Sequence, residues 1–332
     1  MNICVLGSGA WGTALAILLA QNGHRVTLYS RRPQQARAMA ASRENPRLAG
    51  VTLPEALLVS SDLAACLPGC ELAVFAAPSV GIRQLSLDAA PYLGTALPVC
   101  VAKGIEPDTS LRMSQVIEEV TGRASAVLSG PSHAEEVARG IPTGCVAAAK
   151  SEAEARTVQD AFSSDCFRVY TSPDVVGVEL GGALKNVIAL CAGISDGLGM
   201  GDNSKALLMT RAMAELTRLG EQLGGSRRTF SGLAGMGDLI VTCTSMHSRN
   251  RRAGILIGQG MPVEKALERI GAVVEGYYAA ESVHQLAERE EVDMPICRCA
   301  WEVLYRGRDI RGVTGELMGR ARKDELLGAT WL

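Results

Sequence analysis

The opening of the chain constrains its fold more than any other stretch. A short apolar run, Asn2–Leu6, breaks into Gly7-Ser8-Gly9-Ala10-Trp11-Gly12, after which residues 13–22 carry a helical pattern closed by Gly23. Strand, glycine-rich turn and helix in immediate succession form the pattern G-x-G-x-x-G. Gly7 permits the tight turn, Gly9 lets the backbone approach a pyrophosphate, and Gly12 packs helix against strand. The helix N-terminus then faces the phosphate charge, which makes this a candidate dinucleotide site.

The strand–helix alternation continues. Strand-like runs fall at 25–30, 57–60, 72–76, 98–102 and 126–128, with helical patterns at 61–67, 79–91, 110–120 and 132–139 between them. A further strand pair, 144–149 and 167–170, follows. This predicts an α/β fold with an N-terminal, doubly wound, mainly parallel sheet of Rossmann type, covered on both faces and binding ligands at its carboxyl edge. The second strand ends in Tyr29-Ser30-Arg31-Arg32, where an NAD-selective site usually has a carboxylate for the ribose hydroxyls. Two arginines suit a 2′-phosphate instead, so NADP is the expected preference with NAD possible; solvated arginines at a helix start are the plainer alternative. Lys103, at the end of the fifth strand, points toward the crevice expected for the nicotinamide.

The alternation stops near Ser172-Pro173. Helical patterns then fill 175–199, 203–223, 248–259, 262–270, 277–290 and 295–306. The expected organisation is a dinucleotide-binding domain over 1–172 and an all-α substrate and catalytic domain over 173–332, a division that a length of 332 residues supports.

Residues 175–199 are apolar on nearly every side, the pattern of a helix buried all round, yet Lys185 and Asn186 sit at its middle. A desolvated lysine is costly, and its depressed pKa makes it a competent general base near neutral pH. The alternative is a stem that snorkels to the surface. Glu179, Lys185 and Asn186 interrupt the run, which argues against insertion in a membrane. Downstream, Asp238 follows a glycine-rich connection, where it could orient a lysine, accept from a substrate hydroxyl or cap a helix. Ser248 reads as the N-cap of a helix opening with Arg249 and Asn250, so backbone N–H groups, a guanidinium and an amide converge as they would on a phosphate.

A net charge of −2 without long runs of like charge gives no footprint of a nucleic-acid or polybasic membrane binder, so a small-molecule partner is expected. The ten cysteines are scattered, with no Cys-x-x-Cys pair and no histidine cluster. They read as reduced core thiols rather than metal ligands. With no secretory signal at the start, the expected location is the cytoplasm. An apolar helical domain is compatible with a homodimer.

Taken together, GSGAWGTALA, VAKGIE, LSGPSHAEEVARGIPT, ELGGALKNVIALCAGISDGLG, GMGDLIVTCTSMHSRN and VVEGYYAA resemble, in order and from end to end, the bacterial NAD(P)-dependent glycerol-3-phosphate dehydrogenase family. The resemblance implies reversible hydride transfer between C2 of sn-glycerol 3-phosphate and the nicotinamide, giving dihydroxyacetone phosphate and serving phospholipid synthesis. It implies Lys185 as general acid/base, with Lys103 and Asp238 as electrostatic and orienting partners. Gly130, Ser132, Ser248, Arg249 and Asn250, together with those three, resemble the substrate-binding set. Ser8, Trp11, Arg31, Arg32, Lys103, Ala134, Arg249, Val273 and Glu275 resemble the cofactor contacts. Two positions depart from the family: His133 stands where Phe is common, and Met236 where Leu is usual. A dehydrogenase of a 3-hydroxy acid or of phosphogluconate, and a cofactor-sensing protein without turnover, are the rival readings.

Overall fold

The computed structural model describes residues 1–322 and 325; the rest of the helical domain expected over 173–332 lies outside the described residues. The apolar runs become β1 (Asn2–Leu6), β2 (Arg25–Tyr29), β3 (Leu58–Ser60), β4 (Leu72–Phe75), β5 (Leu97–Cys100), β6 (Ala126–Ser129), β7 (Thr143–Ala148) and β8 (Phe167–Ser172). Between them lie α1 (Ala10–Gln21), α2 (Pro33–Ser42), α3 (Leu63–Cys66), α4 (Ile82–Ala89), α5 (Met113–Thr121), α6 (Ala134–Val137) and α7 (Glu152–Phe162). The strands form one sheet in the order β3-β2-β1-β4-β5-β6-β7-β8. The chain therefore reverses its direction of spread between β1 and β4, which opens a crevice at their carboxyl ends. β4 and β6 are buried throughout and β1 over all but its first residue, as their continuous apolar sequences require of a sheet covered on both faces.

All neighbouring strands are parallel except β6 and β7. A parallel crossover normally needs a full helix. Here α6 is a single turn of four residues, and the chain turns back beside β6 instead. Other differences from the expected pattern are local. α1 begins at Ala10 rather than residue 13, so Trp11 and Gly12 lie in its first turn. α7 was not expected, although Ser151 and Glu154 form a capping box at its start that the spacing announces.

After β8 the chain is helical: α8 (Val175–Gly197), α9 (Asp202–Gln222), α10 (Arg227–Phe230), α11 (Asp238–Thr244), α12 (Arg249–Gly258), α13 (Val263–Ile270), α14 (Glu275–Arg289), α15 (Pro295–Arg306) and α16 (Ile310–Gly319). The glycine-rich connection before Asp238 is not an open turn. Leu233–Gly237 winds into a wide π-helical turn that runs directly into α11, where Asp238 is the first residue. α10, α11 and α16 had no counterpart in the sequence reading.

α8 is the axis of this half. Its most apolar window has a mean hydropathy of 1.6, long and apolar enough to cross a membrane by composition, but 83% of that window is buried inside the fold. Asp174 caps it, accepting from Gly177 N–H, and also accepts from Ser226 N–H and the Thr229 hydroxyl. α12 crosses α8 at van der Waals contact because the facing residues are glycines. A Cβ on Gly193 would stand 2.1 Å from the Arg251 carbonyl oxygen, and one on Gly254 would stand 2.1 Å from that of Leu190. Neither oxygen can yield without moving a helix, so the crossing fixes how far α12 lies from the middle of α8.

Gly193→Ala or Gly254→Ala should therefore cost about 2–3 kcal/mol of stability through overpacking, read as a lowered thermal midpoint. Gly315→Ala on α16, where an added Cβ meets nothing within 4 Å, is the control and should be neutral or mildly stabilising. Equal midpoints for all three would contradict the close crossing.

Candidate active site

Asp238 is 1% exposed and lies between two lysines from different parts of the fold. Its Oδ1 accepts from Lys185 Nζ at 2.5 Å and its Oδ2 accepts from Lys103 Nζ at 2.7 Å. Lys185 projects from the middle of α8 and is 5% exposed, so it does not snorkel. Lys103 leaves the loop after β5 and also donates to the Gly130 carbonyl, at 2.8 Å. One carboxylate thus joins the sheet's carboxyl edge to α8 through α11.

The three charges oppose one another in a defined way. Burial drives Lys185 down to about 8, the nearby Lys103 cation presses the same way, and Asp238 pulls back upward. The result is a lysine that changes protonation state close to neutral pH. Its nitrogen is also fixed in direction. Lys185 Nζ donates to Thr242 Oγ1 at 2.5 Å, while that hydroxyl donates to the Asp238 carbonyl at 2.6 Å. Because the Thr242 proton is committed, its oxygen must accept from the lysine. Thr242 was not among the candidate site residues read from the sequence. It lies one helical turn after Asp238, a spacing that becomes visible only once 238–244 is known to be a helix.

The candidate substrate residues gather around this group. Gly130 and Ser132 follow β6, with the Ser132 hydroxyl donating to the Gly130 carbonyl. Ser248 caps α12 as expected, accepting from Arg251 N–H at 3.2 Å. Arg249 is exposed at the start of α12. Asn250 is buried and already engaged: its Nδ2 donates to Asn186 Oδ1 and its Oδ1 accepts from Gly276 N–H. Asn186, one residue after the lysine, also reaches the Lys103 carbonyl at 3.4 Å. The asparagine pair therefore locks together α8, α12, the start of α14 and the loop carrying Lys103, a framing role that neither residue type announces in sequence.

Of the candidate cofactor residues, those of the glycine turn stand at the carboxyl end of β1, beside the β1–β4 reversal. Gly7 holds a φ of +129° and a Cβ there would meet the Ala76 carbonyl oxygen at 2.6 Å, whereas one on Gly9 would meet nothing within 4 Å. Gly9 caps α1 without any side-chain partner. The open helix N-terminus and the free space above it fit a pyrophosphate. Ser8 Oγ donates to Ser30 Oγ, and the Trp11 indole nitrogen is buried without a partner. Arg31 and Arg32 are exposed beyond β2, with no ion pair among the described residues. Ala134 opens α6, and Val273 and Glu275 stand at the entrance to α14. The Glu275 carboxylate accepts from both the backbone N–H and the hydroxyl of Ser79, beyond β4, so it spans the crevice. Burial pushes its pKa above the usual carboxylate range, with the Ser79 hydrogen bonds and the Arg249 charge acting in the opposite sense.

His133, the departure after Ser132, is packed against His247 with ring centroids 5.6 Å apart. Burial and the Lys185 charge hold its imidazole below the ordinary histidine range.

Two family models match the chain: the N-terminus of NAD-dependent glycerol-3-phosphate dehydrogenase over residues 2–155 and its C-terminus over 174–314. The glycerol-3-phosphate dehydrogenase [NAD(P)+] of Syntrophomonas wolfei is 51% identical over 98% of this chain and 96% of its own length. That of Moorella thermoacetica is 50% identical over 99% of each. The crystal structure of glycerol-3-phosphate dehydrogenase from Coxiella burnetii superposes with a TM-score of 0.92 at 36% identity, covering 96% of this chain and 98% of that one. With family models matched over both halves and relatives about half identical along nearly the whole chain, the chain belongs to the NAD-dependent glycerol-3-phosphate dehydrogenase family.

Proposed function

We propose that this protein interconverts sn-glycerol 3-phosphate and dihydroxyacetone phosphate, with NADP as the preferred cofactor and NAD as an alternative. The supporting observation is Lys185: buried, tied to Asp238 and Thr242, and titrating near pH 8. When bound, the nicotinamide supplies or takes up the hydride exchanged at C2.

The chain's own residues handle the proton and the charge. In oxidation, neutral Lys185 accepts the C2 hydroxyl proton; in reduction, its ammonium form returns a proton to the C2 oxygen. Two positions on the lysine nitrogen are tied by Asp238 and Thr242, which leaves the third, proton or lone pair, for substrate. Lys103 holds positive charge beside the developing oxyanion. The Ser248 hydroxyl, Arg249 and the N-terminus of α12 bind the substrate phosphate, with Gly130 and Ser132 closing the opposite side and Asn250 holding α12 in register. That remote anchor fixes the reacting carbon. Gly7, Gly9 and Gly12 cradle the pyrophosphate, joined by Ser8 and Trp11. Arg31 and Arg32 take the 2′-phosphate, while Ala134, Val273 and Glu275 flank the nicotinamide end. In this reading residues 1–172 bind the cofactor and residues 173–332 supply most of the substrate site. Ten free thiols suit a reducing cytoplasm. A homodimer joined through the helical half, serving phospholipid synthesis, completes the proposal.

Initial rates of reduced-cofactor oxidation with dihydroxyacetone phosphate test the substrate and the cofactor together. NADPH should be turned over faster than NADH; binding of both without consumption of either would reject the substrate and direct attention to carboxylate substrates. Lys185→Ala should lower kcat by about two orders of magnitude or more while leaving the cofactor dissociation constant unchanged. Retained turnover would remove it as the acid/base. Arg249→Ala should raise KM for the phosphorylated substrate by roughly tenfold or more, on the scale of a lost charge-assisted contact. An unchanged KM would remove Arg249 from the site.

A further inference from the structure

The glycine turn contains a peptide that needs an anchor. Gly9 has no side chain to restrict it, and a Cβ there would meet nothing within 4 Å, so local sterics leave open which way the Ser8–Gly9 peptide faces. For an anion the two faces are opposites: the N–H attracts it and the carbonyl oxygen repels it. The side chain that settles the choice is Asn45, 1% exposed, whose Nδ2 donates to the Ser8 carbonyl at 3.0 Å. We propose that Asn45 is a positioning residue for the cofactor, aiming the Gly9 N–H at the pyrophosphate by holding the Ser8 carbonyl inward. This role rests on the cofactor reading above and adds to it a residue outside the glycine fingerprint.

The anchor is directional. Asn45 is buried, so the carbonyl it holds turns into the protein. Across the trans peptide the Gly9 N–H lies antiparallel to that carbonyl and turns outward, where it donates to no backbone group among the described residues. The Asn45 amide cannot be turned over. Its Oδ1 accepts from the Arg47 N–H at 3.0 Å, which can only donate, and its Nδ2 faces the Ser8 carbonyl, which can only accept. The same Nδ2 also donates to the fully buried Thr13 hydroxyl oxygen at 2.7 Å, in the second turn of α1. Ser8 is held from its other end as well, its hydroxyl donating to Ser30 Oγ at 2.9 Å.

The connection between α2 and β3 that carries Asn45 is itself fixed. The Leu53 N–H donates to the Arg43 carbonyl at 2.7 Å, Glu44 pairs with Thr52 in an isolated antiparallel bridge, and the Arg43 guanidinium donates to the carbonyls of Pro54 and Leu57. Leu48 and Leu53 are buried in the same core as Val5 and Leu15. Asn45 therefore ties a rigid connection to the glycine turn and to α1 at once. Without its amide the Ser8 carbonyl loses its partner inside the protein, and a buried acceptor left unpaired is costly. Rotation of the Ser8–Gly9 peptide relieves that cost, and the freedom of Gly9 permits it, but it places the carbonyl oxygen where the pyrophosphate must bind.

The test compares the native protein with Asn45→Ala in binding NADPH and in binding adenosine 2′-phosphate, which lacks the pyrophosphate. The NADPH dissociation constant should rise roughly tenfold, the scale of one lost hydrogen bond that orients the turn. The constant for adenosine 2′-phosphate should not change, and kcat at saturating NADPH should hold while KM for NADPH rises. Thr13→Val keeps the bond to Ser8 and removes the other partner of the Asn45 amide, so it should lower the thermal midpoint without moving the NADPH constant. If Asn45→Ala does not fold, Asn45→Ser decides: its hydroxyl can still accept from the Arg47 N–H but is one atom too short for Ser8, and it should show the same rise. An unchanged NADPH constant in a folded Asn45 variant would overturn the role. So would an equal loss for adenosine 2′-phosphate, which reports a displaced connection rather than a misdirected N–H, or an equal weakening by Thr13→Val. A native protein that binds neither NADPH nor NADH would instead reject the cofactor reading, and the role of Asn45 with it.

Discussion

The carboxylate of Asp238, buried between two lysines, is the interaction on which this molecule depends. A lone buried ammonium would be driven toward neutrality, and two near one another would repel. With one oxygen for each lysine, Asp238 makes it possible for Lys103 and Lys185 to share a site at all. The cost of dehydrating three charges is offset only if the remaining hydrogen-bonding positions are filled. Thr242 and the Gly130 carbonyl fill two of them. What results is a lysine held in one orientation, with its acidity set by the balance between burial, a like charge and an opposite charge.

That balance needs exact placement of elements distant in sequence, and the packing supplies it. α8 carries Lys185 through the centre of the helical half, and the glycine-lined crossing with α12 holds Ser248 and Arg249 at a fixed distance from it. The Asn186–Asn250 pair then ties both helices to Gly276 and to the backbone of Lys103. Glu275 closes the frame from the far side by bonding Ser79 at the sheet edge. A proton-transfer group on a buried helix and an anion site at a helix N-terminus are thereby built on rigid elements, the arrangement that keeps a reacting carbon in register.

Much of this was legible in the sequence because the signals are local. The glycine turn after β1, the apolar strands and the lysine within an apolar helix each follow from period and composition, and each lies where expected. What escaped was set by tertiary contact. Leu233–Gly237 reads as a loop because glycines are weak helix formers, but packing against Phe230 and α8 winds it into a helix and makes Asp238 a helical residue, which also hid Thr242. Asn250 was expected at the phosphate site, and its bonds to Asn186 and Gly276, 64 and 26 residues away, are long-range contacts that spacing does not show. The antiparallel β7 was hidden for the same reason: residues 132–139 carry a helical pattern, of which only one turn forms. α7 is different, since its capping box was present in the sequence and was a missed local signal.

The account turns on the acidity of Lys185, and the pH dependence of kcat/KM for sn-glycerol 3-phosphate oxidation at saturating oxidised cofactor tests it most directly. Oxidation requires the neutral amine, so a lysine lowered to about 8 predicts a rate that rises with pH and levels off above that value, while the reduction falls over the same interval. A midpoint near the ordinary lysine value of about 10.4, or a profile flat across it, would contradict a buried, charge-balanced lysine as the proton carrier.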